Sequence, residues 1–384
     1  MAAKKSTKAA APVEEAAEAK QELCVVTGAK GYVGHTLVEE LLAQGKKVRI
    51  SLHSECHDFD ELDCEIIYGS VTEKDHLLEI TKDADVVYHV AGIVDITGTK
   101  DKLVWAVNYD GTVKMVEACK ENGVKTLVYV SSVDCVPAKV GDTTLIVEPD
   151  SFNPDLVEGA YGKSKAAATQ FVNDSNCAEL KTVSVHPSCV IGPKDVHGTA
   201  SVCTMINLYN MGLFPVTLNF GGYNFVDVRD VAKGMIGAAA NGKGGESYFL
   251  CGEMLTVNEF IATLAKINNK KAPKIALGKD LLLKMCPLIE KIFDAVKLPP
   301  VLTPFSIGKI CENCNFSYEK AANDFGYAPM TAEDSLRDTS NWIKEYGKNP
   351  LPFDIEEAKK YAKIVASVAA SLVATAGVRK IIKK

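Results

Sequence analysis

Tyr161 and Lys165 are residues whose types and spacing suggest proton chemistry. They stand four positions apart in the segment Tyr161-Gly162-Lys163-Ser164-Lys165, so on a helix they share one face. A phenol has an unperturbed pKa of about 10, too high for proton exchange at neutral pH, and a nearby ammonium favours the phenolate. The pair predicts a tyrosine that protonates a carbonyl oxygen during reduction or deprotonates an alcohol during oxidation.

Ser132 adds a hydroxyl group to this pair. It follows the predicted strand Thr126–Val130 and stands 29 residues before Tyr161. A serine at that strand end can hydrogen-bond the same substrate oxygen as Tyr161. The spacing of Tyr161 and Lys165 alone also fits a helix with a surface lysine. Ser132, together with a glycine-rich loop near the start of the chain, favours a catalytic interpretation.

The glycine-rich loop has the sequence Thr27-Gly28-Ala29-Lys30-Gly31-Tyr32-Val33-Gly34 and follows the predicted strand Leu23–Thr27. Glycines allow close approach of the backbone to a ligand, and the N-terminus of the next helix presents free N–H groups to a pyrophosphate. The spacing is G-x-x-G-x-x-G rather than G-x-G-x-x-G. We predict that the whole loop, including Lys30, Tyr32 and Val33, binds a dinucleotide. A plain strand–helix connection is the alternative.

The tip of the predicted second strand, Lys47–Leu52, bears on the choice between NADP and NAD. An Asp or Glu at this tip would bind the ribose 2′-hydroxyl of NAD, and none stands there. Ser51, His53 and Ser54 can bind a 2′-phosphate, with Arg49 close enough to help. NADP is therefore favoured over NAD. In the alternative interpretation, Arg49 points to solvent and His53 only caps the strand.

Strand and helix patterns alternate from residue 22 onward, which predicts an α/β Rossmann fold, a doubly wound parallel sheet with a smaller, interleaved C-terminal substrate-binding region. Such a sheet binds its ligand at the carboxyl ends of the strands. We predict a disordered tail over residues 1–20 and an NAD(P)-binding domain over 21–193, completed by a helix and a strand within 225–252. The substrate-binding region is predicted over 194–224 and 253–347, and a helical extension over 348–384.

The order of these motifs resembles an extended short-chain dehydrogenase/reductase of the NAD-dependent epimerase/dehydratase superfamily. The resemblance covers about residues 22 to 347. It is most similar to the branch of the dihydroflavonol reductases and 3-beta-hydroxysteroid dehydrogenases. The matching stretches are T-G-A-K-G-Y-V-G at 27–34, Y-H-V-A-G at 88–92, N-Y-D-G-T at 108–112, V-Y-V-S-S at 128–132, Y-G-K-S-K at 161–165, H-P-S-C-V-I-G-P at 186–193 and F-V-D-V-R-D-V-A at 225–232.

The resemblance assigns further roles. It implies that Ser132, Tyr161 and Lys165 are catalytic and that Asn108 supports the proton relay. Other residues would bind the cofactor: Ser70 and Val71 at the adenine, Ala91 and Gly92 along its length, and Pro187, Ser188 and Val190 over the nicotinamide. The sequence departs from the family where Ser70 replaces a common Asp, where His186 replaces a common Arg, and at the second strand tip, which also lacks a second Arg. These departures leave the choice of cofactor open.

The segment between Lys194 and Arg229 contains no Lys or Arg, which argues against a site for the diphosphate of a nucleotide sugar. It is rich in apolar residues, and an amphipathic helix pattern follows at Leu281–Leu298. We predict a pocket for an apolar ring system, such as a steroid, sterol or flavonoid-like ketone; ordinary core is the alternative. The apolar residues are Val202, Met205, Ile206, Leu208, Tyr209, Met211, Leu213 and Phe214.

The leading hypothesis is an NAD(P)-dependent oxidoreductase that transfers a hydride between nicotinamide C4 and a ketone or secondary alcohol. A nucleotide-sugar epimerase or dehydratase with tightly bound NAD is the alternative enzyme. The non-enzymatic alternative is a cofactor-sensing or scaffold protein that keeps the fold without catalysing a reaction. The presence of Ser132, Tyr161 and Lys165 argues against it.

Composition bounds the partners. The formal charge of −6 gives no reason to expect nucleic acid, and 12 scattered cysteines without a secretory signal predict a reducing, cytoplasmic location. The pair Cys311 and Cys314 lacks a second pair, so no metal site is predicted. The apolar run Ile364–Val378 has 15 residues, short of the roughly 20 that span a membrane. A surface or partner-packing helix is favoured there over a tail with peripheral membrane contact, and the resemblance allows a homodimer.

Overall fold

The computed structural model describes residues 21–95, 99–196, 201–214, 216–295 and 304–347, with scattered helical positions between 356 and 371. The predicted tail over 1–20 lies outside the described residues, as does most of the extension over 348–384. Within the described part of the chain, no helix has the length and apolar character needed to cross a lipid bilayer.

Twelve strands and twelve α-helices make up the described chain. The strands are β1 (Leu23–Thr27), β2 (Lys47–Leu52), β3 (Cys64–Tyr68), β4 (Val86–His89), β5 (Thr126–Val130), β6 (Lys181–Pro187), β7 (Cys189–Ile191), β8 (Thr217–Leu218), β9 (Gly222–Asp227), β10 (Glu246–Leu250), β11 (Glu253–Thr256) and β12 (Ala276–Leu277). The helices are α1 (Tyr32–Ala43), α2 (Lys74–Thr81), α3 (Asp101–Trp105), α4 (Gly111–Glu121), α5 (Gly159–Asp174), α6 (Ser201–Asn210), α7 (Val228–Asn241), α8 (Val257–Ile267), α9 (Lys279–Ala295), α10 (Pro304–Lys309), α11 (Glu319–Phe325) and α12 (Ala332–Tyr346).

Seven strands form one parallel sheet in the order β10-β6-β5-β4-β1-β2-β3. The strand order reverses between β1 and β4, which are neighbours with Thr27 opposite His89. A crevice for ligands lies at such a reversal, outside the carboxyl ends of the strands. The predicted α/β Rossmann fold is confirmed, and the glycine loop that follows β1 lies at this crevice.

Both faces of the sheet are covered, which explains the continuous apolar runs of its strands. Every residue of β1 and of β5 is buried. Successive side chains of a strand point to opposite faces. Accordingly, Val26 packs with Leu37 of α1 and Met235 of α7, while its neighbour Val25 packs in a second core with Met115 of α4.

One predicted element differs from the structure. The helix predicted within 225–252 does not start at 225, because Phe225–Asp227 ends β9 and the helix α7 begins only at Val228. The carboxylate of Asp227 accepts a 2.9 Å hydrogen bond from the Arg229 N–H, which caps the helix there. β9 pairs with β7 and β11 in a separate three-stranded sheet, whereas β10 joins the large sheet beside β6.

The helix α4 is preceded by an irregular turn. A π-helical turn, Ala106–Asp110, precedes α4 and contains Asn108. Such turns are frequent at functional sites because they shift the direction of one side chain relative to the regular helix. The predicted helix Leu281–Leu298 corresponds to α9, and its last three residues lie outside the described part of the chain.

Candidate active site

The glycine loop is shaped by close backbone contacts. Gly28 has a φ of +69°, and a Cβ atom there would lie 2.6 Å from the main-chain nitrogen of Ala91. A Cβ atom at Gly34 would overlap the carbonyl oxygen of Gly28. The helix α1 begins directly after Gly31, without a side-chain cap and without an acid in its first turn. Its N–H groups and the bare glycine backbone form a cradle that fits a pyrophosphate.

The side chains of the loop point in different directions. The Tyr32 ring is buried in a hydrophobic cluster with Ile191 and Val228, and Val33 packs against the same cluster. The side chains of Tyr32 and Val33 thus face the protein interior. Only their main-chain atoms remain available to a ligand. The side chain of Lys30 is exposed at the turn between β1 and α1.

Ser132 and Tyr161 meet at the carboxyl end of β5. The side chain of Ser132 lies close enough to the phenol of Tyr161 to lower the pKa of Tyr161. Burial raises that pKa more strongly, and the nearby Asp134 carboxylate raises it further, so the phenol stays protonated at neutral pH. Both residues line a cavity of about 250 Å³.

Lys165 lies one helical turn beyond Tyr161 and is only 3% exposed. Its Nζ donates a 2.7 Å hydrogen bond to the carbonyl oxygen of Val130 and lies 4.9 Å from the centre of the Tyr129 ring. Burial lowers the pKa of Lys165 to about 8. The expectation that Lys165 lowers the pKa of Tyr161 is not met in the protein alone, because burial and Asp134 dominate that pKa.

Asn108 connects the end of β4 to the helix α5. Its amide nitrogen donates to the carbonyl oxygen of Ile93 at 3.0 Å and to the hydroxyl of Ser164 at 3.2 Å. Its amide oxygen accepts a 2.8 Å hydrogen bond from the Ile93 N–H. A Cβ atom at Gly92 would lie 3.2 Å from the Lys165 ammonium. Asn108 therefore holds the Ala91–Ile93 segment against the helix α5, and Gly92 permits that approach.

The ribose end differs from the prediction for Arg49. Its guanidinium pairs with Glu65 at 2.8 Å and donates to the carbonyl oxygens of Ile80 and Lys82. These bonds occupy the guanidinium of Arg49, so it is not free to hold a 2′-phosphate. The hydroxyl of Ser51 hydrogen-bonds the buried His76 ring at 2.8 Å.

The remaining residues predicted at the adenine end are more open. His53 is exposed at the tip of β2, next to the exposed Ser54. Ser70 is half-buried, and its hydroxyl shares a 2.8 Å hydrogen bond with Thr72. The carbonyl oxygen of Val71 packs against Gly111 at the start of α4, where an added Cβ atom would lie 3.1 Å away.

The residues after β6 close the other end of the crevice. Pro187 ends β6, and the Ser188 hydroxyl donates a 2.8 Å hydrogen bond to Asn224 of β9. Val190 lies in β7 and packs against the hydrophobic core. The imidazole of His186, at the usual position of an arginine, is fully buried beneath Ser132, with Nδ1 3.3 Å from the Ser132 carbonyl oxygen. Burial lowers the pKa of His186 to about 3, so the ring is neutral.

Sequence reasoning missed the charged residues of the cavity. Asp134, Glu158, Lys309 and Glu312 line it together with Ser132 and Tyr161. The signals in the sequence are the proximity of Asp134 to Ser132 and of Glu158 to Tyr161. Lys309 and Glu312 come from α10 and the loop after it, which no local pattern connects to β5.

Part of the apolar segment after Lys194, and part of the helix α9, belong to the hydrophobic core. Val202, Ile206 and Tyr209 are buried in a hydrophobic cluster with α8 and α12, and Leu282 and Met285 of α9 are buried in another. None of these five lines the described cavity, so the alternative of ordinary core holds for them. Apolar contacts in the cavity come instead from other residues, among them Val133, Val136, Tyr223 and Phe316.

The described residues contain no group of three or more His, Cys, Asp and Glu side chains placed to hold a metal ion. The sequence matches the 3-beta hydroxysteroid dehydrogenase/isomerase family over residues 25–258, a stretch that includes the glycine loop and the Ser132–Tyr161–Lys165 group. The chain belongs to this family. As a member of the 3-beta hydroxysteroid dehydrogenase/isomerase family, it is an NAD(P)-dependent oxidoreductase, and the predicted resemblance to the extended short-chain dehydrogenases/reductases is confirmed.

Relatives of this family member cover most of its length. The sterol demethylase protein B of Methylococcus capsulatus is 25% identical over 84% of this chain and 98% of its own. The decarboxylating sterol-4-alpha-carboxylate 3-dehydrogenase of Mus musculus is 25% identical over 82% of this chain and 89% of its own. The UDP-glucose 4-epimerase of Thermus thermophilus, solved with NAD, shares the fold, with a TM-score of 0.65 and 22% identity over 84% of this chain and 99% of its own.

Proposed function

We propose that this protein transfers a hydride between nicotinamide C4 and a ketone or secondary alcohol on an apolar, ring-containing substrate such as a steroid, sterol or flavonoid. The observation that carries the proposal is that Ser132 and Tyr161 line the same cavity, close enough for the Ser132 side chain to lower the pKa of the Tyr161 phenol. Two hydroxyls that converge at a cavity wall can bind one substrate oxygen, and one of them can exchange a proton with it.

Each polar residue has a separate task in this proposal. The nicotinamide ring supplies or accepts the hydride when the cofactor is bound. Tyr161 is protonated in the protein alone, so it donates its proton to the carbonyl oxygen during reduction. Ser132 hydrogen-bonds the same oxygen, and the Lys165 ammonium, beside Gly92, binds the ribose hydroxyls and favours the tyrosinate after proton transfer. Asn108 positions the main chain of Ile93 through two hydrogen bonds.

The preference for NADP is also a proposal. The tip of β2 has no carboxylate to bind a ribose 2′-hydroxyl, and Arg49 is occupied by Glu65. Lys30 is exposed on the glycine loop and forms no ion pair with any residue in the described ranges. We assign the 2′-phosphate to Lys30, with His53 and Ser54 as neutral hydrogen-bond partners.

The substrate side is proposed to come from residues 194–224 and 253–347. The relatives named for sterols support a ring-containing substrate. A nucleotide-sugar epimerase would need cations for a diphosphate. Lys309 is the one cationic side chain among the described residues of the cavity, and it is already paired with Glu312 at 2.9 Å.

The test begins with titration of the purified protein with NADPH and NADH, followed by fluorescence. A panel of steroid and flavonoid ketones is then scored for consumption of the reduced cofactor. We expect tighter binding of NADPH and net oxidation with at least one ketone. NAD that copurifies tightly, with no net turnover of added cofactor, would instead support the epimerase.

A further inference from the structure

A carboxylate stands beside the proposed reacting groups. Oδ2 of Asp134 lies 3.4 Å from the hydroxyl of Ser132, and Asp134 lines the same cavity as Tyr161. It is the charged group nearest in sequence to Ser132 on that wall. A substrate whose oxygen binds Ser132 would bring its neighbouring ring carbons close to this carboxylate.

The cation of the cavity is already neutralised. Nζ of Lys309 lies 2.9 Å from a Glu312 carboxylate oxygen and 3.9 Å from Oδ1 of Asp134. Asp95 and Glu158 line the cavity too, so four acids face one lysine among the described lining residues.

Each of the two amides on the wall already uses one of its two N–H donors within the protein. The amide nitrogen of Asn224 donates to the carbonyl oxygen of Gly252 at 3.1 Å, and that of Asn313 donates to the carbonyl oxygen of Thr144 at 2.7 Å. An ionised carboxylate only accepts hydrogen bonds. The wall therefore offers a surplus of acceptors to a substrate, and its complement is a ligand with hydroxyl donors.

We infer that the substrate is uncharged and carries hydroxyl groups, and that Asp134 and Glu312 exclude a carboxylate on the ring carbon next to the reacting carbon. This inference rests on the proposed function, because it assumes that the substrate oxygen binds Ser132 and Tyr161. Like charges a few ångströms apart repel, and solvent partly screens this repulsion because the Asp134 side chain is 46% exposed. The expected discrimination is at least roughly tenfold in affinity. A substrate that loses carbon dioxide from that position is excluded for the same reason.

The experiment compares two ligands that differ in one charge. They are a 3-hydroxysteroid with a carboxylate at C4 and the methyl ester of the same compound. Calorimetry measures both affinities in protein saturated with its reduced nicotinamide cofactor, so that the alcohol is not oxidised. We expect the ester to bind at least about tenfold more tightly, and we expect added salt to narrow the ratio.

Variants test which residues cause the ratio between the affinities for the ester and for the carboxylate. Asp134→Asn combined with Glu312→Gln keeps the side-chain shapes and is expected to bring the ratio towards one. Glu121→Gln, on the surface at the end of α4, is the matched control and leaves the ratio unchanged. Lys309→Met removes the compensating cation and widens the ratio. A carboxylate that binds as tightly as the ester, or a ratio that the double variant does not move, overturns the inference.

The proposed function fails separately. If no ketone is turned over with either cofactor, the proposed reaction on apolar ring ketones is wrong whatever the binding ratio. If ketones are turned over but the carboxylate and the ester bind equally, the proposed reaction stands and the inference about the charge of the substrate falls.

Discussion

The ammonium of Lys165 donates a 2.7 Å hydrogen bond to the main-chain carbonyl oxygen of Val130. Val130 ends β5, and Ser132 follows it by two residues, so this bond ties the helix α5 to the strand end that holds Ser132. The same side chain is placed next to Gly92 at the end of β4. Lys165 thus joins three segments that meet at the crevice, which is why its loss should affect more than one step.

Lys165→Met should weaken cofactor binding at least about tenfold and lower turnover by about 10² or more, because a methionine keeps the buried volume but loses the ammonium. Lys163→Met is the matched control, since Lys163 lies on a different face of α5 and is partly exposed. Fluorescence titration with NADPH and steady-state kinetics give the two quantities. Equal effects of the two substitutions would contradict the role of Lys165.

Tyr161→Phe should lower kcat by about 10²–10⁴, the range typical of losing a general acid, and leave cofactor affinity nearly unchanged. The ring stays in place, so the loss reports on the hydroxyl alone. Tyr346→Phe removes an exposed hydroxyl at the end of α12 and serves as control. Unchanged turnover in Tyr161→Phe would rule out Tyr161 as the acid–base.

Lys30→Met should weaken NADPH binding at least roughly tenfold while NADH binding stays the same, because only NADPH carries the 2′-phosphate. The NADPH affinity of the unmodified protein should also fall with salt more steeply than its NADH affinity. Lys46→Met is a control at the opposite end of the sheet, where Lys46 pairs with Glu22. If Lys30→Met weakened the binding of NADPH and of NADH to the same extent, Lys30 would not bind the 2′-phosphate.

Two buried histidines should make the fold sensitive to acid. Burial lowers the pKa of His89 and of His186 to about 3, whereas an unfolded histidine titrates at about 6.5. Between these values the unfolded chain binds more protons, so stability is complete above pH of about 6.5 and is lost as the pH falls towards 3. At pH 5 each histidine should cost about 2 kcal/mol of unfolding free energy relative to pH 7.

Urea unfolding of the wild type and of His186→Phe at both pH values measures this cost. The phenylalanine packs between Phe152 and Phe249 and should shrink the pH effect by about 2 kcal/mol. His57→Asn alters an exposed histidine and should leave the effect unchanged. An equal pH effect in the wild type and His186→Phe would show that His186 does not titrate as described.

The sequence by itself determined the sheet and the order of the motifs. The predicted bounds of β1, β2 and β5 match the structure residue for residue. β1 and β5 are buried on both faces and leave apolar runs, whereas in β2 polar and apolar residues alternate. The site residues after β1, β4 and β5 could be grouped because the carboxyl ends of parallel strands meet at one edge. The helical spacing of Tyr161 and Lys165 needed no more than the period of the helix.

Only the tertiary structure decided which partner each long side chain finds. Arg49 could have faced a phosphate but is bound to Glu65, and the apolar residues Val202 and Ile206 could have lined a pocket but fill the core. Lys309, far from β5 in the sequence, reaches the cavity beside Asp134. Local patterns encode the helix and strand periods, whereas such contacts depend on how distant segments pack against each other. The charge of the cavity could therefore not be read from the sequence.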